Sequence, residues 1–200
     1  MTPRGARWTL VVGLLCCAAG AEAQQGIRTG FWAEAALGAG TVRNGCGRCD
    51  DVTATYGGTG YLRAGWSMAP RVHLGLEFFE IGASDFVLGA GSAPVDSENR
   101  SIVPIVIWYV WRSGLYLKGG AGLARGAFRV PGVAGSPTTR RTGSALTFAV
   151  GYDLPVSSWV ALTASLGTNV MAIGDVTVNG TVVDDIIATV YEASFGVALR

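Results

Sequence analysis

The sequence lacks a long apolar segment beyond its first two dozen residues. Half of its 200 residues are hydrophobic and only 14% are charged, yet no later stretch approaches 18 consecutive apolar residues. A membrane-spanning helix needs about 20 such residues, so a helical membrane protein is excluded. The apolar side chains must therefore fill a soluble core or face lipid at alternating positions along strands.

Lysine and histidine are scarce. Lys118 is the single lysine, His73 is the single histidine, and the formal net charge is +1. Nucleic-acid binding depends on neutralising phosphates, and a chain with balanced charge and no basic face gives no basis for it. We therefore expect no nucleic-acid partner. We also expect no metal and no cofactor.

The N-terminal segment has the composition of a secretory signal peptide. Two arginines within the first seven residues precede an apolar run of about a dozen residues, which is too short to span a bilayer. Ala21-Glu22-Ala23 then supplies the small-x-small pattern that signal peptidase cleaves. The sequence predicts a signal peptide over 1–23 with cleavage near Ala23, a short lead over 24–28 and one domain over 29–200.

Eight stretches of alternating apolar and polar residues follow. Alternation is typical of strands, because successive side chains point to opposite faces. Each stretch has about 13 to 15 residues, whereas strands of soluble proteins usually have about 5 or 6. We expect Pro104 to mark a bulge or a strand start, because proline cannot donate a ladder hydrogen bond. The predicted strands are 29–41, 53–67, 71–85, 99–111, 114–128, 142–154, 159–173 and 186–199.

The connectors alternate in length. Those after the second, fourth and sixth strands are short, and the other four have about 11 to 13 residues rich in Gly, Asp, Asn, Ser and Pro. Barrels of bacterial outer membranes combine short periplasmic turns with long external loops. The sequence therefore predicts an all-β fold, an eight-stranded antiparallel up-and-down transmembrane β-barrel with four external loops.

One face of each predicted strand carries polar and charged side chains into the barrel. Eight strands leave an interior that side chains just fill, and buried charges must pair. We predict a plug in which the lysine and the arginine bridge the three glutamates; a narrow gated ion path is the alternative. The inward charged set is Glu34, Arg63, His73, Glu77, Lys118, Asp153 and Glu192.

Five tryptophans fall at the short-turn end of the predicted barrel. Tryptophan is enriched where headgroups meet hydrocarbon, so we predict an interfacial girdle. Two of the five, Trp32 and Trp159, lie on the inward face, so they join the girdle only if local bulges turn them outward. The predicted girdle is Trp32, Trp66, Trp108, Trp111 and Trp159.

Two cysteines lie close together in the first long connector, as Cys46-Gly47-Arg48-Cys49. This spacing is also found in redox motifs and in half of a zinc site, but no second cysteine pair or nearby histidine accompanies it. In an oxidising compartment a structural disulfide between Cys46 and Cys49 is favoured.

Four motifs carry a resemblance to a known family over residues 29–199. They are Gly30-Phe31-Trp32, Gly58-Thr59-Gly60-Tyr61-Leu62, Leu117-Lys118-Gly119-Gly120-Ala121-Gly122 and Val150-Gly151-Tyr152-Asp153. With them the chain resembles the small OmpA-like and OmpX-like outer-membrane β-barrels. The resemblance implies a monomer in the bacterial outer membrane. Its implied partners are outer-membrane lipid, lipopolysaccharide and, during biogenesis, the barrel-insertion machinery.

The favoured function is a non-enzymatic barrel with a structural or surface-interaction role through its external loops. A narrow ion or solute channel is the alternative. A lipid-modifying enzyme is a third reading, which we disfavour because His73 follows a periplasmic turn and points inward, away from external lipid. A soluble secreted barrel that binds a small hydrophobic ligand is the remaining hypothesis.

Overall fold

The structure is a computed structural model, and it describes residues 30–45, 54–86, 95–110, 114–129, 139–178 and 181–200. The predicted signal peptide, the Cys46 and Cys49 pair, and Trp111 lie outside the described residues. Among the described residues, no helix is long and apolar enough to cross a membrane.

Eight antiparallel strands form a closed barrel in which each strand pairs with its neighbours in the chain, and β1 pairs with β8. The prediction of an eight-stranded up-and-down barrel is confirmed. The strands are β1 (Gly30–Gly45), β2 (Ala54–Ala69), β3 (Val72–Phe86), β4 (Val95–Tyr109), β5 (Leu115–Arg129), β6 (Thr139–Pro155), β7 (Val160–Val178) and β8 (Thr181–Leu199).

The last hairpin differs from its prediction. A long connector was expected between 173 and 186, but β7 and β8 continue as a paired ladder until only residues 179–180 separate them. Glycine and aspartate in this stretch were interpreted as loop residues. In the structure they lie within the ladder, where register shifts occur beside Gly174, and Gly174 (φ 77°) and Asp185 (φ 52°) adopt positive φ angles. These irregularities are typical of β-bulges.

The strand register fixes the stagger of the barrel. Cross-strand partners lead from Ala35 through Leu62, Phe78, Ile102, Leu123, Ser144, Ala172 and Ile187 back to Gly45 of β1. One circuit therefore climbs ten residues toward the end of the barrel at which β1 ends and β2 begins, which is the end of the long connectors. At about 3.3 Å per residue and about 4.8 Å between strands, this stagger tilts the strands by roughly 40°.

The outer surface is an apolar belt. Side chains alternate in burial along every strand, and those on the outer face include Leu37 (77% exposed), Phe195 (72%), Leu62 (60%) and Phe148 (55%). Exposed apolar area of this extent is unusual for a soluble monomer. Inside the barrel, the middle is polar. The half nearer the long connectors holds apolar side chains such as Val42, Ile81 and Met171, together with the buried polar residues Asn44 and Asn99.

Pro104 does not mark a bulge or a strand start, so that prediction is wrong. It lies inside β4 and faces outward, opposite Leu76 of β3. On the β5 side the pairing is interrupted between Ile102 and Ile105, and it then continues in the same register. The missing N–H of proline thus costs a local gap in the ladder and no shift of register.

Candidate functional site

The centre of the barrel holds an ion-pair network built on three neighbouring strands. Glu34 lies directly opposite Arg63 in the β1–β2 pair, and Arg63 lies directly opposite Glu77 in the β2–β3 pair. The register therefore places acid, base and acid side by side on the inner face. Lys118 reaches the same site from β5, across the interior.

Glu77 is the hub of this network. Its Oε2 accepts hydrogen bonds from Arg63 Nε and from Lys118 Nζ, each at 2.5 Å, and its Oε1 accepts one from Thr147 Oγ1 at 3.4 Å. The side chains of Glu77 and Arg63 are fully buried, and that of Lys118 is 1% exposed. A carboxylate with two buried cations compensates part of the cost of removing all three charges from water.

Glu34 and Tyr61 hold the other side of Arg63. Arg63 Nη1 donates to Glu34 Oε1 at 2.9 Å, and the hydroxyl of Tyr61 donates to the same oxygen at 2.6 Å. The Arg63 guanidinium also lies 3.5 Å from the centre of the Tyr61 ring, within the distance of a cation–π contact. Glu34, Arg63, Glu77 and Lys118 together carry no formal net charge.

Glu192 does not join these ion pairs, which corrects the predicted bridging of all three glutamates. It is buried, and within the described residues no cation lies within ion-pair distance of it. Asn169 Nδ2 donates to its Oε1 at 3.4 Å. The cross-strand partners of Glu192 are Gly40 and Gly167. The stagger of the barrel places this level nearer the long connectors than Lys118, so Glu192 and Lys118 lie at different heights.

The short-turn end contains an aromatic stack. The His73 ring lies between Trp32 and Tyr109, with ring centres 5.8 Å and 4.9 Å apart. Tyr109 donates a hydrogen bond to Asp153 at 2.5 Å, and Arg200 forms an ion pair with the same carboxylate. His73 therefore lies inside the barrel and outside the central network, among aromatic rings.

Trp32 is not part of an outward girdle, because only 3% of it is exposed and its ring fills the interior beside His73. No bulge turns it outward, and the inward face of β1 continues through Trp32 to Glu34. Trp66, Trp108 and Trp159 are 55%, 48% and 61% exposed at the short-turn end.

Several interior residues were missed by sequence reasoning. Tyr61, Tyr109 and Tyr116 share the inward faces of the charged residues that were identified, and their hydroxyls bind those charges. Tyr61 and Tyr116 each lie two residues from a charged inward residue, which was the available signal, whereas Tyr109 has no such neighbour in β4. Arg200 gave no such signal, because it follows the last strand and turns back into the barrel mouth.

The arrangement supports a packed plug. Its four central charges are paired with one another, buried apolar side chains such as Val42, Ile81 and Met171 lie toward the long connectors, and aromatic rings fill the other end. The described residues contain no group of three or more side chains that could hold a metal ion.

Comparison with solved structures places the fold. Neisserial surface protein A (NspA) is 20% identical to the chain and superposes on it with a TM-score of 0.57. The match covers 85% of this chain and 96% of NspA. The fold is that of the small outer-membrane β-barrels. The attachment invasion locus protein Ail of Yersinia pestis (13% identity, 86% and 99% coverage, TM-score 0.49) and the outer-membrane protein OprG of Pseudomonas aeruginosa (12%, 88% and 97%, 0.48) also match. The assignment of the fold depends on NspA.

The resemblance predicted from the sequence is thus confirmed at the level of the fold. No protein-family model matches the chain, and no curated protein matches it.

Proposed function

We propose that this protein is a bacterial outer-membrane β-barrel with a structural or surface-interaction role, carried by the connectors at one end. The observation that carries the proposal is the outer surface, where large apolar side chains surround a closed barrel. Such a surface is stable in hydrocarbon, and closure leaves no unpaired strand edge. The interior is a plug that stabilises the barrel.

Fractionation together with a heat-modifiability gel tests membrane insertion. The expected result is recovery with the outer membrane and an unboiled band that migrates differently from the boiled one, because the closed barrel resists detergent until heated. Recovery as a soluble protein with no such shift would contradict the proposal and would favour the secreted ligand-binding barrel.

Orientation is tested with an epitope inserted in the connector 130–138, with the short connector 156–159 as the matched control site. Antibody added to intact cells is expected to label the first variant and not the second, because external loops of such barrels are the long ones. Labelling of only the control would reverse the orientation and remove the surface role.

A narrow channel is less well supported than a plug. Buried side chains occupy the interior at two levels, with the paired charges at the centre and Val42, Ile81 and Met171 nearer the long connectors. Planar bilayers containing the protein are therefore expected to show no discrete conductance steps. Steps that Lys118→Met alters would instead favour the channel.

A lipid-modifying activity has no support from the position of His73. Its ring is packed between Trp32 and Tyr109 inside the barrel, so it faces no lipid. Lipid A from cells that express the protein is expected to keep its mass. A mass change that His73→Ala abolishes would contradict this.

A further inference from the structure

Small side chains create a groove in the outer wall of the barrel. It has a volume of about 680 Å³ and crosses β8, β1, β2 and β3 on the outward face. Its floor includes Gly58, Gly60 and Gly82, and its walls include Leu62, Phe78 and Phe195. Sites for small molecules usually fall between about 300 and 1,000 Å³, so the groove can hold an extended alkyl chain.

A charged row begins at the edge of the groove. Gly60 lies opposite Glu80, Glu80 opposite Arg100, and Arg100 opposite Arg125, so one cross-strand row leads from the groove floor to two arginines. Because rows climb from β1 toward β8, the arginines lie nearer the long-connector end than Gly60. On the short-turn side of the arginines, Ile102 and Leu123 are outward and apolar.

The two arginines differ in their partners. Arg100 pairs with Glu80, with Nε 3.2 Å from Oε2, and with Glu98. Arg125 forms no ion pair within the part of the chain that the structure describes, although it is exposed and faces Arg100 directly. Like charges directly opposite each other on a sheet destabilise it, so an anion beside Arg125 would relieve this contact.

We propose that the groove and Arg125 form a binding site for a phosphorylated, multiply acylated lipid of the outer leaflet. An acyl chain lies over Gly60 in the groove, and the phosphate accepts hydrogen bonds from Arg125. The order of the two parts along the barrel axis matches that of a lipid in the membrane. The groove lies within the apolar belt, where acyl chains lie, and Arg125 lies at the edge of the belt nearer the long connectors. Guanidinium binds phosphate in two-pronged geometry, which favours this anion. This inference depends on the proposed membrane location and names a lipid partner for that protein.

The experiment measures lipid binding to the full chain folded into phosphatidylcholine nanodiscs. The probes are hexa-acylated bisphosphoryl lipid A, the same lipid without phosphates, and inorganic pyrophosphate. Native mass spectrometry counts the bound molecules over a titration. A heat-modifiability gel on each variant first establishes that the barrel is folded.

Arg125→Gln is expected to weaken lipid A binding about tenfold through loss of a charge-assisted contact. Gly60→Leu fills the groove, and it is expected to weaken lipid A binding while leaving pyrophosphate binding unchanged. The matched controls are Arg43→Gln, an exposed arginine of β1, and Gly119→Leu, which has only ordinary contacts with Phe148. Both controls are expected to stay within roughly twofold of the wild type.

Unchanged lipid A binding by both test variants would overturn the site and leave the membrane proposal standing. Equal binding of the dephosphorylated lipid would also overturn it, because the arginine would then play no part. A dimer that Gly60→Leu dissociates would assign the groove to a second copy of the chain. Failure of the wild-type protein to enter nanodiscs would overturn both proposals.

Discussion

Glu77→Gln should be the most damaging single change of charge in the interior. The carboxylate holds two cations at 2.5 Å, and all three side chains are shielded from solvent. In Glu77→Gln, Arg63 keeps Glu34, but Lys118 loses its only ion-pair partner among the described residues. Breaking a buried pair from one side typically costs about 3–5 kcal/mol of unfolding free energy, and we expect a loss in that range.

Two further variants separate this explanation from a general packing defect. Glu34→Gln leaves both cations paired with Glu77, so we expect a smaller loss of about 1–3 kcal/mol, as for a hydrogen bond to a charged group. Glu77→Gln combined with Lys118→Met removes the unpaired cation. The double variant should therefore be more stable than Glu77→Gln alone.

The assay is urea unfolding of the protein in lipid vesicles, followed by tryptophan fluorescence and analysed by linear extrapolation. A double-mutant cycle then gives the coupling between Glu77 and Lys118, expected at about 2 kcal/mol. If Glu77→Gln is no less stable than Glu34→Gln, or if the effects of the two substitutions in the double variant simply add, Glu77 is not the hub of the network.

Two other predictions concern packing and the girdle. Gly151→Ala should lower the free energy of unfolding by about 1–3 kcal/mol, because its Cβ would overlap the buried Tyr116 ring and hydroxyl. Gly58→Ala, with open space at its Cβ, should not, and equal unfolding midpoints for the two variants would contradict this. In vesicles of brominated lipid, the fluorescence of a variant with Trp66 as its one tryptophan should be strongly quenched, because Trp66 faces outward. The fluorescence of a variant with only Trp32, which faces inward, should not be quenched, and equal quenching would contradict the assignment.

Strand alternation was sufficient to predict which face of the barrel the charged residues of the central network occupy, although it placed Trp159, which precedes β7, on the wrong face. Glu34, Arg63, Glu77 and Lys118 were all assigned to the interior from the period of two, and they are buried there. Alternation carries no information about height, because every second residue of a strand satisfies it equally. Height depends on the stagger, which is a property of all eight strand pairs together, so the separation of Glu192 from Lys118 could not be predicted.

Strand ends were predicted less well than strand faces. The residues around Gly174 and Asp185 have the composition of a turn, yet neighbouring ladder contacts extend the hairpin through them. At Trp32 two signals disagreed: tryptophan prefers the membrane interface, whereas the alternation of β1 points this residue inward. Parity prevailed, because turning one residue outward would shift every later side chain of the strand to the wrong face.

The same strand register sets the positions of residues on the inner and outer faces of the barrel wall, but the side chains of the two faces do not touch. The register that aligns Arg63 with Glu77 inside also aligns Gly60 with Glu80 outside, because both rows cross the β2–β3 pair. A substitution that preserves the register should therefore affect only its own face. Glu77→Gln should lower stability and leave the lipid A affinity of the folded protein unchanged, which native mass spectrometry can measure. A fall in affinity matching that of Arg125→Gln would mean that the interior charges hold the outer site in shape.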